Sequence, residues 1–279
     1  MRAAISEYEL RTPGTLAEAL ALLSEGPGEW KPIAGGTDLM VLLDAGRLEC
    51  RRLVNLQRLG ELKGIDETGN QLSLGALTTY TELRRHPVVA REFPLLARAA
   101  GETGGIANQN RGSLGGNILN ASPAGDSLPP LLVYDAELEL ASARGVRRVP
   151  YAGFHKGYRL TGIEAGELLL RIHLPRLDSG WRQYYRKVGA RRAQAISKVC
   201  FAGMIREDDV RIALGAVAPV PLRCYRTEAL VRGQPISEEL VRAARDELER
   251  EISPIDDLRS TARYRRRVAG NLLEEFLLG

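Results

Sequence analysis

Two glycine-rich segments constrain this chain more than anything else in it. Arg111 to Pro130 reads RGSLGGNILNASPAGDSLPP, with four glycines, three serines, two asparagines, three prolines and neither histidine nor cysteine. Upstream, KPIAGGTDLM (Lys31 to Met40) sets a glycine pair between a short apolar run and a helix-like one. Glycine has no Cβ, so such loops reach positive φ and let backbone amides come close to a ligand. Where a loop runs into a helix, free amides and the helix dipole together favour an anion. Two such loops fit a ligand with a pyrophosphate in its middle. Tight turns are the competing reading: they are the favoured one for AGGTD taken alone, whereas the density of turn residues argues against them in Arg111–Asp126.

The familiar phosphate motifs are absent. No G-x-x-x-x-G-K-[ST] occurs, which disfavours a P-loop nucleotide hydrolase. The only G-x-G is Gly26-Pro-Gly28, with no third glycine three residues on, so the Rossmann fingerprint is missing too. A dinucleotide bound without a Rossmann fold is what remains. Cys50, Cys200 and Cys224 are scattered, as reduced structural thiols are, and give no metal-ligand spacing. His86, His155 and His173 are equally dispersed, which argues against a zinc site or a Ser-His-Asp triad, so no catalytic or metal residues are assigned. The net charge of +4 is modest; the pI near 9.0 hints at anionic ligands, but 5% aromatic content gives little support for nucleic-acid stacking. No apolar run reaches membrane-spanning length, and the N-terminus lacks the apolar core of a signal peptide, so the expected location is the cytoplasm.

A length of 279 residues suits one large domain or two to three smaller ones. Thr15-Leu-Ala-Glu18 reads as a capping box, with Leu16, Ala19, Leu20 and Leu23 on one helical face and Gly26 at its end. A strand around Pro32–Ala34, a helix opened by Thr37 or Asp38 and a strand at Arg52–Gln57 complete a βαβ-like unit to about residue 60. From there to about Pro175, strands and helices mix: a hairpin around Thr68-Gly69-Asn70, helices in TYTELRRH and FPLLARAAG, then strands in AELELASA, VRRVP and ELLLRIHLP. A third unit carries strand candidates in QYYRKV and VRIALGAVA. Two helices follow, the last expected from Ile255 with Leu258, Ala262, Tyr264, Val268, Leu272 and Phe276 inward.

AGGTDL, GSLGGNILNASPAGD and RKVGARRAQAISKV (Arg186 to Val199), met in this order, resemble the FAD-binding subunit of molybdenum hydroxylases, a family that includes the medium subunit of carbon monoxide dehydrogenase and the flavin domain of xanthine dehydrogenase. The closing DDLRSTARYRRRVAGNLL resembles the family's C-terminal helix, so the likeness spans nearly the whole chain. It implies an α+β architecture: a vanillyl-alcohol-oxidase-type FAD-binding fold over residues 1–175, with subdomains of about 1–60 and 61–175, then a C-terminal α+β domain over 176–279. It also implies that Pro32, Ile33, Ala34, Gly35, Gly36, Thr37, Asp38 and Leu39 wrap the FAD pyrophosphate. Ser113, Gly115, Gly116 and Asn117 would form a second phosphate and ribityl contact, and Asp126 would accept hydrogen bonds from the adenosine end. Leu170 would lie against the flavin, and Lys187 close to the cofactor. Many relatives read Ile-Arg-Asn where this chain has Asn108-Gln109-Asn110, so the second loop is expected to be held differently here.

The function implied is an electron-transfer subunit. Non-covalent FAD would take electrons from iron–sulfur clusters of a partner and pass them to an external acceptor. The molybdenum cofactor and [2Fe–2S] clusters would sit on a large and a small partner subunit. A free-standing FAD-dependent oxidoreductase and a flavin-free scaffold subunit are the alternatives. The substrate and the final acceptor are not encoded in this chain's motifs.

Overall fold

The computed structural model describes residues 7–26, 28–191 and 193–279. Its first unit comprises β1 (Glu9–Arg11), α1 (Leu16–Glu25), β2 (Trp30–Ile33), α2 (Leu39–Asp44) and β3 (Arg52–Asn55). The three strands form a parallel sheet in the order β1-β3-β2. The Thr15 hydroxyl accepts from the Glu18 amide at 3.2 Å, but the Glu18 carboxylate takes the amide of Gly14 (2.7 Å), one residue earlier than a capping box requires. Ala19, Leu20 and Leu23 of α1 are buried with Val54 of β3.

The middle unit opens with β4 (Ile65–Thr68) and β5 (Gln71–Gly75) and continues with α3 (Tyr80–Arg85), α4 (Pro87–Glu92), α5 (Pro94–Glu102), α6 (Ile106–Gln109), α7 (Leu114–Asn120) and α8 (Leu128–Val133). It closes with β6 (Glu137–Ser142), β7 (Gly145–Pro150), the short hairpin β8 (His155–Gly157) and β9 (Leu160–Thr161), and β10 (Leu168–Pro175). Five strands make an antiparallel sheet in the order β4-β5-β10-β6-β7. Alternation along these strands sends Leu72, Leu74, Leu138, Leu140, Ile172 and Leu174 into one core, under the helices.

The last unit is β11 (Arg182–Val188), β12 (Val199–Ile205), β13 (Val210–Gly215) and β14 (Leu222–Arg223), followed by α9 (Tyr225–Val231), α10 (Glu238–Glu251) and α11 (Ala262–Leu278). The sheet is antiparallel in chain order. Strand β12, absent from the sequence-based assignment, is buried on both faces. Cys200, Ala202 and Met204 join the core around α5 and α8, while Val199 and Phe201 meet α10 and α11. A strand covered on both sides reads as a continuous apolar run, VCFAGMI, without alternation. Its one glycine, Gly203, leaves room for the Phe276 ring, which a Cβ there would approach to 2.8 Å.

Helix α11 starts at Ala262, with Thr261 as N-cap, and not at Ile255. The Asp257 carboxylate instead takes the amides of Arg259 (2.8 Å) and Ser260 (3.0 Å), folding that segment into a turn and leaving Leu258 fully exposed. The inward face carries Arg265, Ala269, Leu272, Leu273, Phe276 and Leu277, with Tyr264 turned outward. Arg265 is buried because its guanidinium donates to the carbonyls of Lys198 (3.1 Å) and Ala216 (2.8 Å) and pairs with Asp257 (2.7 Å).

Candidate functional site

The loop between β2 and α2 and the N-terminal end of α7 face each other across a cleft of about 420 Å³. They are docked backbone to backbone: a Cβ on Gly35 would lie 1.7 Å from the Arg111 carbonyl oxygen. Arg111 Nε also donates to the Gly35 carbonyl (3.2 Å), and Asn120 Nδ2 donates to Asp38 Oδ1 (3.3 Å). Gly36 adopts φ +75°, open to glycine at no steric penalty. Asp38, the N-cap of α2, makes no side-chain capping bond. The outcome is a run of five amides, Gly35 to Leu39, that donate to no acceptor among the described residues. Successive amides turned into one concavity are what an anion binds.

The second loop works differently. Ser113 caps α7, its hydroxyl accepting from Gly116 N at 3.2 Å. The amides of Leu114 and Gly115 donate to the carbonyls of Thr78 and Ala76, both at 2.9 Å, and Asn117 N donates to the Ser113 carbonyl at 3.0 Å. The amides expected to be free at this helix start are therefore already engaged. Gly115 is required by packing, since a Cβ there would come within 2.7 Å of the Ala76 carbonyl oxygen. Gly116 is exposed, and its Cβ would meet only Ser113 Oγ, at 3.0 Å. Asn117 accepts from Ser127 Oγ (2.8 Å) through Oδ1, which leaves its Nδ2 protons for other acceptors. This segment thus offers a smooth glycine surface, the Ser113 hydroxyl proton and an amide group.

Asp126 and Lys187 form a buried ion pair, Nζ to Oδ2 at 2.6 Å. Asp126 Oδ1 accepts from Ser197 Oγ (2.5 Å), and Lys187 also donates to the Glu102 carbonyl (2.8 Å). Burial pushes the Asp126 carboxyl above its usual range, opposed by the adjacent ammonium and the hydroxyl of Ser197. Lys187 is therefore buried and paired despite lying in a basic stretch of sequence, and the N-cap of α8 is Ser127, next to Asp126. The pair lies behind the wall that Thr103 and Gly104 present to the cleft, directly after Glu102. Leu170 sits at a register irregularity of β10, between Leu169 and Arg171. Leu168 and Leu170 both join the core around α1 and β3, and Leu169 joins that of the middle unit; of the three, Leu168 and Leu169 line the cleft and Leu170 does not. Ile33 is partly buried and does not line it.

Sequence motifs did not single out several other lining residues. Leu56, Leu62 and Leu77 form an apolar wall, and Tyr80 lies nearly buried, its phenol pushed well above its ordinary pKa by desolvation. Lys31 and Arg159 bring positive charge. Arg159 stands in the two-residue β8–β9 turn, well beyond the end of the second glycine segment and without a motif of its own. Among the described residues, no group of three or more His, Cys, Asp or Glu could hold a metal ion, and no helix is long and apolar enough to cross a membrane.

A family profile described as the FAD binding domain in molybdopterin dehydrogenase matches residues 6–177, and one described as the CO dehydrogenase flavoprotein C-terminal domain matches 183–279. A xanthine dehydrogenase FAD-binding subunit of Escherichia coli is 34% identical over 261 residues, covering 90% of this chain and 88% of the relative. The carbon monoxide dehydrogenase medium chain of Hydrogenophaga pseudoflava is 30% identical over 274 residues, covering 97% and 96%. Among solved structures, carbon monoxide dehydrogenase from Hydrogenophaga pseudoflava superposes with a TM-score of 0.93 at 31% identity, over 96% of this chain and 95% of that one. Quinoline 2-oxidoreductase from Pseudomonas putida gives 0.89 at 28% identity, over 97% and 95%.

Proposed function

This chain belongs to the FAD-binding subunits of the molybdopterin dehydrogenases, and from that premise we propose that the cleft between its two glycine loops is the FAD site. The chain is the FAD-binding electron-transfer subunit of a molybdenum-containing hydroxylase or dehydrogenase, an oxidoreductase component that works with a large molybdenum subunit and a small [2Fe–2S] subunit. Its place in the cytoplasm is part of the same reading, supported by free cysteines at 50, 200 and 224.

One observation carries the site: five consecutive amides without a protein acceptor, Gly35 to Leu39, in a loop that lines a cleft together with Gly116 of the second glycine segment. A pyrophosphate is the ligand such a row suits, because each amide offers a charge-assisted hydrogen bond without a side chain in the way. Pro32, Ile33 and Ala34 bring β2 to this loop and fix its start. Ser113 and Asn117 add donors from the far wall. Leu56, Leu62, Leu77, Leu168 and Leu169 supply an apolar surface for the uncharged rings. Asp126, Lys187 and Leu170 act from behind: the ion pair fixes the Glu102–Gly104 wall, and Leu170 anchors β10 against the first unit.

Bound FAD supplies a carrier that exchanges electrons singly or in pairs. The chain's own residues bind that carrier and hold it in place. No histidine or cysteine lines the cleft among the described residues, so attachment through either side chain is not available there.

Native purification tests the reading. The chain is expected to copurify with two partner subunits, with molybdenum and iron in the complex and a flavin absorption band that acid precipitation releases into the supernatant. A chain that runs alone, without metals or flavin, overturns it.

A further inference from the structure

The backbone amides of the first loop bring no formal charge, yet a pyrophosphate carries two negative ones. The charged residues lining the cleft are Lys31, Asp38 and Arg159. Asp38 opposes an anion, so the balance falls to the two cations. Lys31 is an exposed residue of β2. Arg159 is unlike most arginines in this chain. Among the described residues it pairs with no carboxylate and its guanidinium donates no hydrogen bond; it lies over the neighbouring Tyr158 ring, 5.6 Å from the centroid. Of the neighbouring arginines, Arg51 pairs with Glu7 (3.1 Å) and Arg52 with Glu29 (2.5 Å); Arg47 makes no ion pair among the described residues either, but it does not line the cleft.

The position of Arg159 is fixed by the element that forms the cleft. It occupies the β8–β9 turn at φ +56°, where glycine or asparagine would sit without strain. Its amide donates to the Ala121 carbonyl (3.3 Å), at the left-handed C-terminal cap of α7. His155 of the same hairpin holds the Ile118 carbonyl of α7 through Nε2 (2.8 Å). The hairpin is thus mounted on the helix whose first turn contains Gly116. Its arginine lines both the cleft and an open neighbouring groove of about 1090 Å³ that also includes Lys31 and Leu42.

We propose that Arg159 supplies the fixed positive charge that holds the phosphate groups of the bound dinucleotide, a role that rests on reading the cleft as the FAD site. A planar guanidinium suits phosphate oxygens, and an arginine without a protein partner gives up no ion pair when it takes a ligand. Because the side chain is exposed, its contribution is screened by salt.

The test uses the full chain stripped of flavin and titrated with FAD at low and high salt, with Arg159→Gly and Arg159→Lys beside the parent. Glycine tolerates the left-handed backbone, so Arg159→Gly is expected to keep the melting temperature of the flavin-free chain while weakening FAD binding about tenfold or more at low salt. The loss should shrink at high salt, and Arg159→Lys should restore part of it. FAD binding within twofold of the parent overturns the proposal. So does a loss that is equal at both salt levels and accompanied by a lowered melting temperature, which marks a structural role. A parent chain that takes up no FAD, alone or in its complex, removes the cleft reading and this inference together, and does so before any substitution is compared.

Discussion

Gly35 and Arg111 are packed so closely that no side chain fits between them: a Cβ on the glycine would stand 1.7 Å from the arginine's carbonyl oxygen. The contact joins the two glycine segments across 76 residues of sequence, so this glycine sets the width of the cleft as well as its own loop. Gly35→Ala must push the loops apart. Overpacking of this kind costs about 1–3 kcal/mol. The variant is expected to melt lower than the parent and to take up FAD poorly, measured by thermal unfolding and flavin absorbance. An unchanged melting temperature would show that the loops separate freely.

Gly116 is the opposite case. It is exposed to the cleft, and an added Cβ meets only the hydroxyl of its own helix cap. Gly116→Val is therefore expected to keep the melting temperature within a few degrees of the parent, on the order of 1 kcal/mol of stability. Its branched side chain would occupy the space in front of the second loop and exclude the cofactor. FAD titration of the refolded variant checks this, and parental affinity would place the cofactor elsewhere.

The contrast between these glycines marks how far the sequence was legible. Both stood out as members of glycine pairs, the first before a helix-like run and the second in a long turn-rich stretch, and both pairs do line one cleft. What composition could not tell was which glycines open space for a ligand and which make room for the protein itself, because Arg111 and Ala76 are distant in sequence from the atoms they crowd. The amides of Leu114 and Gly115 were legible as donors, but their acceptors, the Thr78 and Ala76 carbonyls, follow from how β5 is continued. Strand β12 escaped because burial on both faces removes the period-two signal. Helix α11 was extended too far because Leu258 fits the helical spacing, whereas Asp257 prefers to close a turn. Arg159 had no local signal at all; only the hairpin's attachment to α7 brings it to the site.

His173 predicts an acid-sensitive fold. It is buried in the five-stranded sheet between Ser73 Oγ (2.7 Å, at Nδ1) and Glu139 Oε2 (3.0 Å, at Nε2). Desolvation lowers its pKa below 6.5, and Arg148 acts in the same direction, against Glu139 and Glu137. His155 is lowered by burial too. For such a group the unfolded chain binds the proton first. Its contribution to stability is complete above about pH 6.5 and is lost as the pH falls toward the folded-state pKa. Each unit of depression is worth about 1.4 kcal/mol. His173→Gln should flatten the dependence of melting temperature on pH between about 7 and 5, a range set by the histidine's ordinary pKa. A slope identical to the parent's would assign the acid sensitivity to other groups.

The Asp126–Lys187 pair separates a structural role from a direct one. Both side chains are more than nine-tenths buried, and their 2.6 Å contact ties the middle unit to β11 of the last. Removing one partner of a buried pair leaves the other charge without compensation, which costs about 3–5 kcal/mol. Asp126→Ala would leave the Lys187 ammonium with only the Glu102 carbonyl among its present partners. The variant is expected to melt lower by on the order of 10 °C. Replacing the lysine as well, in Asp126→Ala with Lys187→Met, should recover most of that loss, because no buried charge then remains. FAD affinity measured on the double variant decides the rest. If stability returns and the cofactor binds as in the parent, the pair serves the cleft wall alone. If stability returns and FAD does not bind, the carboxylate or the ammonium reaches the cofactor itself, as the family resemblance implies.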